Sequence, residues 1–452
     1  LAGIAALAEE GADLSASGQE HNCIGAIMKA TTISSPTFLK APVRPTRLER
    51  LARRIVHSRL AKLKIGRLTI SDNGIVSTYG SKEIDDSNQL AADLQINHPS
   101  FFSDIAFGGS IGAGESYMHG HWSSGDLTSL LRLLLINRDV LEEIDSGIAR
   151  LLQPLRKLLH WMNRNTRGGS RRNITAHYDL GNDFYSLWLD PRMMYSCAYF
   201  ETETVSLEVA STAKLERICE KLELQETDNV VEIGTGWGGF AIYAAQNYGC
   251  HVTTTTISKE QYELACRRVK EAGLEDKITL LFDDYRDLEG KFDKLVSIEM
   301  IEAVGHQFHK DFFTKCNDLL KPDGQMLLQS ITIADQRYEQ YVRGVDFIRQ
   351  YIFPGGCLTS VTDMTRVMTT ETDMRTIHLE DIGPHYATTL RRWNEAFFAR
   401  INEVRELAYP ETFVRMWEYY LCYCEAAFIE RSIGTVQMLI MRPGARREQI
   451  NY

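Results

Sequence analysis

No apolar run in the 452-residue chain approaches the roughly 20 residues that a bilayer-spanning helix needs, so a helical membrane-spanning protein is not expected. No charged-then-apolar segment opens the chain as a secretory signal would, and a cytoplasmic location is the expectation. Cysteines are present but unpatterned: the nine (Cys23, Cys197, Cys219, Cys250, Cys266, Cys316, Cys357, Cys422 and Cys424) are odd in number and include no Cys-x-x-Cys pair. That excludes a disulfide framework and a zinc site, and no metal is expected. Recognition-helix, RNP and zinc-finger patterns are also missing, which removes nucleic acid as a partner.

Charge is unevenly spread. Behind a net charge of -10 lie two basic stretches, nine Lys/Arg against the single acid Glu49 from Arg44 to Arg67, and seven against none from Ser146 to Thr175. With nucleic acid set aside, the partner that suits them is an anionic membrane, touched peripherally from its inner face. Leu151 to Arg172 sets leucines and Trp161 on a basic segment, as interfacial helices do, although a linker helix packed on its own domain has the same composition.

The chain divides into four parts. Residues 1–43, ending near Pro36 and Pro42, read as a mobile arm; 44–145 as a small domain of mixed α/β character; 146–173 as a basic linker; and 174–452 as a large α/β domain. In the small domain Leu48, Leu51, Ile55, Leu60 and Leu63 repeat with helical spacing, Asp72-Asn73-Gly74 marks a hairpin, a helix starts at Pro99, a glycine-rich run follows from Gly108, and 127–159 reads as Leu-rich helix. In the large domain, strands at 230–233, 251–257, 278–282, 294–298 and 325–330 alternate with helices at 206–222, 238–248, 258–272 and 307–320. Such alternation implies right-handed βαβ units in a parallel sheet, with ligands at the carboxyl ends of the strands.

The stretch Asn229 to Phe240 breaks an apolar strand into Gly234, Gly236 and Gly239 before a helix, which is a cofactor loop. A dinucleotide fold wants an acid at the end of the second strand, but this strand ends in Thr253-Thr254-Thr255-Thr256-Ile257-Ser258. The acids stand instead at Glu232, before the glycines, and at Asp283-Asp284, after the third strand. That arrangement is the one used for S-adenosylmethionine.

On these residues the chain resembles the cyclopropane-fatty-acyl-phospholipid synthases, which include the mycolic acid cyclopropane synthases. The resemblance rests on His177-Tyr178-Asp179-Leu180-Gly181-Asn182-Asp183, Tyr195-Ser196-Cys197-Ala198-Tyr199, Glu232-Ile233-Gly234-Thr235-Gly236-Trp237-Gly238-Gly239, Thr256-Ile257-Ser258-Lys259-Glu260-Gln261, Asp284-Tyr285-Arg286-Asp287 and Tyr351-Ile352-Phe353-Pro354-Gly355-Gly356. It covers about residues 95–440, and Gly112 to Met118 resembles the lipid-associated N-terminal domain of longer bacterial members. It implies a Rossmann-like class I methyltransferase domain, a parallel-rich seven-stranded sheet with flanking helices and acyl-chain-binding helical insertions, plus a smaller N-terminal α+β domain.

The implied reaction moves a methylene from S-adenosylmethionine to the double bond of an unsaturated phospholipid acyl chain, through a carbocation deprotonated by bound bicarbonate. Carried over by motif, Cys197, Glu302, Gln329, Ile331 and Tyr386 surround that bicarbonate. Tyr195, Ser196, Glu232, Gly234, Gly236, Thr256, Gln261, Asp284 and Tyr285 hold the methyl donor. Two departures stand out: Ile301-Glu302-Ala303 where many members have Phe-Glu-His, and Gln329 where they have histidine. Gln329 can donate a hydrogen bond but cannot be charged or shuttle a proton.

Three alternatives remain open on these residues. The cation could be quenched to a methyl- or methylene-branched chain, the acceptor could be a small soluble molecule, or the chain could be a non-catalytic lipid-binding protein. The C-terminal aromatics, Phe413, Trp417 and Tyr420 among them, read first as core and second as acyl tunnel, and their faces weakly suit a homodimer contact.

Overall fold

The computed structural model describes residues 45–80, 90–138 and 180–447. The arm 1–43, the basic segment 146–173 and the motif start at His177 lie outside the described residues.

Thr46 caps the first helix, α1 (Arg47–Leu60), in a reciprocal box with Glu49. Its buried side is Ala52, Val56 and Leu60. Of the apolar row with helical spacing, Leu60 and Leu63 are buried, while Leu48, Leu51 and Ile55 are 55%, 53% and 37% exposed. Strands β1 (Arg67–Asp72) and β2 (Ile75–Gly80) form the expected hairpin, Asn73 and Gly74 both taking the positive φ (49° and 82°) that matches strand twist. With β3 (Ala91–Ile96), parallel to β1, and the short β4 (Trp122–Ser123) they make a four-stranded sheet of order β2-β1-β3-β4.

The glycine-rich run, expected to follow a helix, is part of one. Helix α2 (Ser100–Met118) runs through it with a break at Gly109 (φ 62°, ψ -146°). Gly114 is where α2 meets the large domain, since a Cβ there would sit 2.4 Å from the Phe347 ring. Helix α3 (Leu127–Ile136) is the start of the Leu-rich stretch and is interrupted at Asn137, while residues 139–159 of that stretch lie outside the described residues. The Asn137 side chain accepts from the N–H groups of Lys64 and Ile65 and donates to the carbonyls of Ile65 and Leu133.

In the large domain α4 (Gly181–Ser186) and α5 (Leu207–Leu222) precede the sheet. Then come β5 (Asn229–Ile233), α6 (Gly239–Tyr248), β6 (His251–Thr255), α7 (Lys259–Glu271), β7 (Ile278–Leu281), β8 (Phe292–Ile298), α8 (His309–Leu319) and β9 (Leu320–Ile333). After α9 (Asp335–Arg343) and α10 (Val361–Glu371), the chain adds β10 (Arg375–Asp381), α11 (Gly383–Ala399), α12 (Ile401–Glu406), α13 (Glu411–Ile429) and β11 (Ile433–Met441). The sheet order is β10-β11-β9-β8-β5-β6-β7; β5 to β9 are parallel and β11 and β10 antiparallel additions at one edge. This is the parallel-rich seven-stranded sheet of a class I methyltransferase.

Helix α13 joins the two sheets. One apolar cluster runs from Leu133 and Trp122 through Tyr419 and Trp417 to Trp393 and Trp188. Arg415 stacks over the Tyr117 ring at 4.0 Å and donates to the Trp122 carbonyl at 2.9 Å, while the Tyr117 hydroxyl donates to Glu418 at 2.6 Å. The C-terminal aromatics are therefore mostly core.

Replacing Asn137 with Ala removes partners from part-buried backbone groups of Lys64 and Ile65 and from the buried Leu133 carbonyl. The expected result is a loss of about 2 kcal/mol of unfolding free energy in urea denaturation.

Candidate active site

Strand β5 leads to β6 and β7 on one side of the sheet and has β8 on the other, so the strand order reverses between β5 and β8. Ligands of such sheets bind outside the carboxyl ends at this point. The glycine loop leaves β5 there. Gly234 and Gly236 take φ of 105° and 53°, a Cβ on Gly234 would crowd Met300 at 3.1 Å, and the N–H groups of Gly234 and Thr235 are held by the Thr255 carbonyl. Gly239, expected to let its helix lie against the strand, instead admits Met194, whose sulfur would be 2.3 Å from an added Cβ.

A cavity of about 370 Å³ opens over these ends. All nine residues expected to hold the methyl donor line it: Tyr195, Ser196, Glu232, Gly234, Gly236, Thr256, Gln261, Asp284 and Tyr285. Glu232 accepts from Thr254 at 2.7 Å, and burial pushes its carboxyl up to about 8. Thr256 donates to Gln261 at 2.9 Å across the capped start of α7. Asp284 is bound by the Arg286 guanidinium at 2.8 and 2.6 Å and caps the turn that presents Tyr285. The donor expected here carries an ammonium, ribose hydroxyls and an adenine ring, and a side-chain-free cradle ringed by acids, amide, hydroxyl and aromatic groups fits it.

Beyond the donor-binding residues the cavity has an apolar and aromatic lobe, and Arg337, Asp346 and Arg349 line the cavity as well. Phe353, Tyr386, Leu390, Tyr420, Ala427 and Phe428 line that lobe, with Tyr386 and Phe428 stacked at 4.4 Å. Where the lobes meet stand two carboxyl groups, Glu299 directly after β8 and Glu302 one 3₁₀ turn later.

The structure brings together the groups that the resemblance places around bicarbonate, but three of them, Cys197, Gln329 and Tyr386, converge on Glu299 and a fourth, Ile331, on Glu302. The Cys197 N–H donates to its carboxylate at 2.9 Å, the Gln329 amide at 2.8 Å and the Tyr386 hydroxyl at 2.7 Å. The Ile331 N–H and the Ser330 hydroxyl donate to one oxygen of Glu302, whose other oxygen is buried and receives no hydrogen bond. Bicarbonate therefore does not fit this site as built: these donors already serve protein carboxylates, and a further anion would be repelled by them.

Burial and then the neighbouring Glu299 push Glu302 up to about 8, so at neutral pH Glu302 is the protonated member of the pair. Burial also raises Glu299, but its three donors and Lys214 oppose the rise. Lys214 of α5, fully buried, donates to Ser196 at 2.8 Å and brings positive charge to this region. Gln329 is aimed by Gln437 of β11, which donates to its amide oxygen at 3.0 Å and so leaves its N–H₂ for Glu299. Cys197 does not line the cavity, and its thiol, buried and held well above its ordinary value, donates to backbone carbonyls, so its part is its N–H and not a nucleophile.

Glu299 and Lys214 escaped the sequence reading. A signal for Glu299 exists: Ile298-Glu299-Met300-Ile301-Glu302 places two acids three residues apart at the carboxyl end of an apolar strand in a ligand-binding sheet. Lys214 gives none, since a lysine in a helix reads as a solvated face.

Comparison with known proteins gives the following. The Mycolic acid cyclopropane synthetase family matches residues 165–438. The tuberculostearic acid methyltransferase UfaA1 of Mycobacterium tuberculosis is 38% identical over 368 residues, covering 78% of this chain and 84% of that protein. The cyclopropane-fatty-acyl-phospholipid synthase of Escherichia coli K12 is 38% identical over 358 residues, covering 78% and 88%. Among solved structures, the mycolic acid cyclopropane synthase CmaA1 complexed with SAH and CTAB superposes with a TM-score of 0.56 at 30% identity, covering 60% of this chain and 98% of that one.

The raised Glu302 has a pH consequence. Folded protein keeps this proton up to about 8 while the unfolded chain loses it near 4.5, so the stabilisation it gives is full below 4.5 and is lost as pH rises to 8. Urea unfolding between pH 5 and pH 8 should therefore show Glu302→Gln gaining stability relative to wild type as pH rises; a constant difference across that range contradicts the protonated state.

Proposed function

This chain belongs to the mycolic acid cyclopropane synthetase family, and from that premise we propose that it closes a cyclopropane ring on the double bond of an unsaturated phospholipid acyl chain. It is an S-adenosylmethionine-dependent methyltransferase of the cyclopropane-fatty-acyl-phospholipid synthase type. The observation that carries the finer reading is the continuity of one cavity from a glycine cradle, past a carboxylate pair, into an aromatic lobe.

When bound, S-adenosylmethionine supplies an electrophilic methyl to the alkene, whose electron pair makes the new carbon–carbon bond while the carbon–sulfur pair leaves with sulfur, so the neighbouring alkene carbon becomes cationic. The protein's own work is alignment, exclusion of water and stabilisation of that cation. Tyr195, Ser196, Glu232, Gly234, Gly236, Thr256, Gln261, Asp284 and Tyr285 would hold the donor with its methyl toward the lobe. Faces of Phe353, Tyr420 and Phe428 offer electron density to a cation on the chain, and Leu390 and Ala427 keep water from quenching it. Tyr386 stays protonated and donates to Glu299, and Glu302, kept neutral, adds no repelling charge beside it. No step passes through bicarbonate.

A second product is favoured by one feature. Gln329, capped by Gln437, is a pure donor and offers no second base. If a hydride moves from the methyl-bearing carbon to the cationic carbon before the methyl loses its proton, the outcome is a methylene-branched chain, and a saturated methyl branch needs a further reduction by a separate hydride donor. An apolar lobe of this kind speaks against a small soluble acceptor.

No helix among the described residues is long and apolar enough to cross a membrane. Helix α1 suggests peripheral attachment instead: Leu48, Leu51 and Ile55 stand exposed on a helix that also exposes Arg47, Arg50 and Arg54.

Incubation with methyl-labelled S-adenosylmethionine and unsaturated phospholipid vesicles should place label in a cyclopropane acyl chain identified by mass spectrometry. A methylene product would select the second reading, and label in no acyl chain would refute both. Changing Leu48, Leu51 and Ile55 together to Gln should reduce sedimentation with phosphatidylglycerol vesicles while leaving turnover of detergent-dispersed lipid intact; undiminished sedimentation removes α1 as the attachment face.

A further inference from the structure

We propose that Glu299 is itself the base of this reaction, a carboxylate built into the chain where relatives are expected to bind an anion, so that turnover needs no bicarbonate. The inference rests on the alkene-methylating reading of the site and names the atom that takes the proton.

Three donors from three separate parts of the fold converge on one carboxylate. The Cys197 N–H comes from the loop before α5, the Gln329 amide from β9 and the Tyr386 hydroxyl from α11, at 2.9, 2.8 and 2.7 Å. A glutamate carboxylate and a bicarbonate share the planar O–C–O unit, so a pocket that satisfies one is shaped for the other. The backbone is adapted to this placement. Glu299 has φ 50°, a left-handed conformation costly for a residue with a Cβ, and its N–H is fixed by the Gln329 carbonyl at 2.8 Å. Such strain collects where a side chain must be held against local preference. Glu299 also lines the cavity beside Gly234 and Met300, at the meeting of donor cradle and acyl lobe.

The proton balance is complete with groups already present. Glu299, ionised, takes a proton from the methyl newly joined to the acyl chain. The electron pair of that carbon–hydrogen bond closes the third side of the ring onto the cationic carbon, and the proton passes to solvent after product leaves. Glu302, kept neutral by its burial beside Glu299, does not compete as base.

The test measures wild type, Glu299→Gln and Glu299→Gly in CO₂-depleted buffer with and without added sodium bicarbonate. Binding of ¹³C-bicarbonate is followed by NMR in the absence of lipid. Wild type should turn over equally with and without bicarbonate and bind none. Glu299→Gln, which keeps the shape but not the base, should lose about a hundredfold or more in turnover without rescue. Glu299→Gly relaxes the backbone and leaves three donors facing an open space, so it should lose turnover, gain bicarbonate binding and recover activity when bicarbonate is added.

Wild type that binds bicarbonate or depends on it overturns the inference, as does Glu299→Gln with undiminished turnover. The binding arm separates this outcome from failure of the functional reading. If no variant modifies lipid, bicarbonate binding by Glu299→Gly but not by wild type still supports Glu299 as the resident anion, and the reverse pattern still overturns it.

Discussion

Two carboxyl groups three residues apart cannot both be charged in a buried space without help, and much of this molecule answers that constraint. Glu299 receives an N–H, an amide and a phenol hydroxyl, while Glu302 is left with an oxygen that makes no hydrogen bond and keeps its proton. Division of labour follows from the count of donors on each. The first can accept a proton, and the second cannot donate repulsion because it carries no charge at neutral pH. Lys214, sunk in α5 and reaching Ser196, adds positive charge to a region that also holds Asp190 and Glu232.

The same constraint explains why the apolar lobe sits next to the acids. A carbocation is short-lived in water and tolerable beside aromatic faces and a fixed carboxylate, whose interaction with it is stronger where water is excluded. The sheet supplies both halves at its switch point: β5 ends in glycines that leave room for a ligand, and β8 ends in the acid that faces it. Helices α11 and α13 then roof the space with Tyr386, Tyr420 and Phe428.

Local chemistry made much of the fold readable. Strand and helix alternation from α5 to β9 was visible because each strand is an apolar run and each helix repeats at its own period, and Asn73-Gly74 dictated the hairpin. Where tertiary contacts decide, the reading failed. The row Leu48, Leu51, Ile55, Leu60 and Leu63 shares one helical spacing, yet only its last two residues pack, beside Ala52 and Val56, and the first three face outward. The glycine run, expected to follow the helix from Pro99, is helix on either side of one break, since close approach to Phe347 wants no side chain. The donor-binding residues could be named because they cluster in short motifs around the loop. Glu299 could be suspected from its place at the end of an apolar strand, but not its role, because its three partners lie 30 to more than 100 residues away and only the folded sheet brings them to it.

The hydrogen bond from Gln437 to Gln329 ties the aim of the site's amide to β11, which pairs with β9 and is the last strand in the chain order. During synthesis the glycine loop and both acids emerge long before that strand does. A nascent chain that has not yet reached Ile433 thus carries the sequence of the donor-binding cradle but lacks the Gln437 contact that orients the Gln329 amide. The orientation of the amide that meets Glu299 is thus set by a strand encoded 108 residues after it, so this part of the site takes shape late in synthesis.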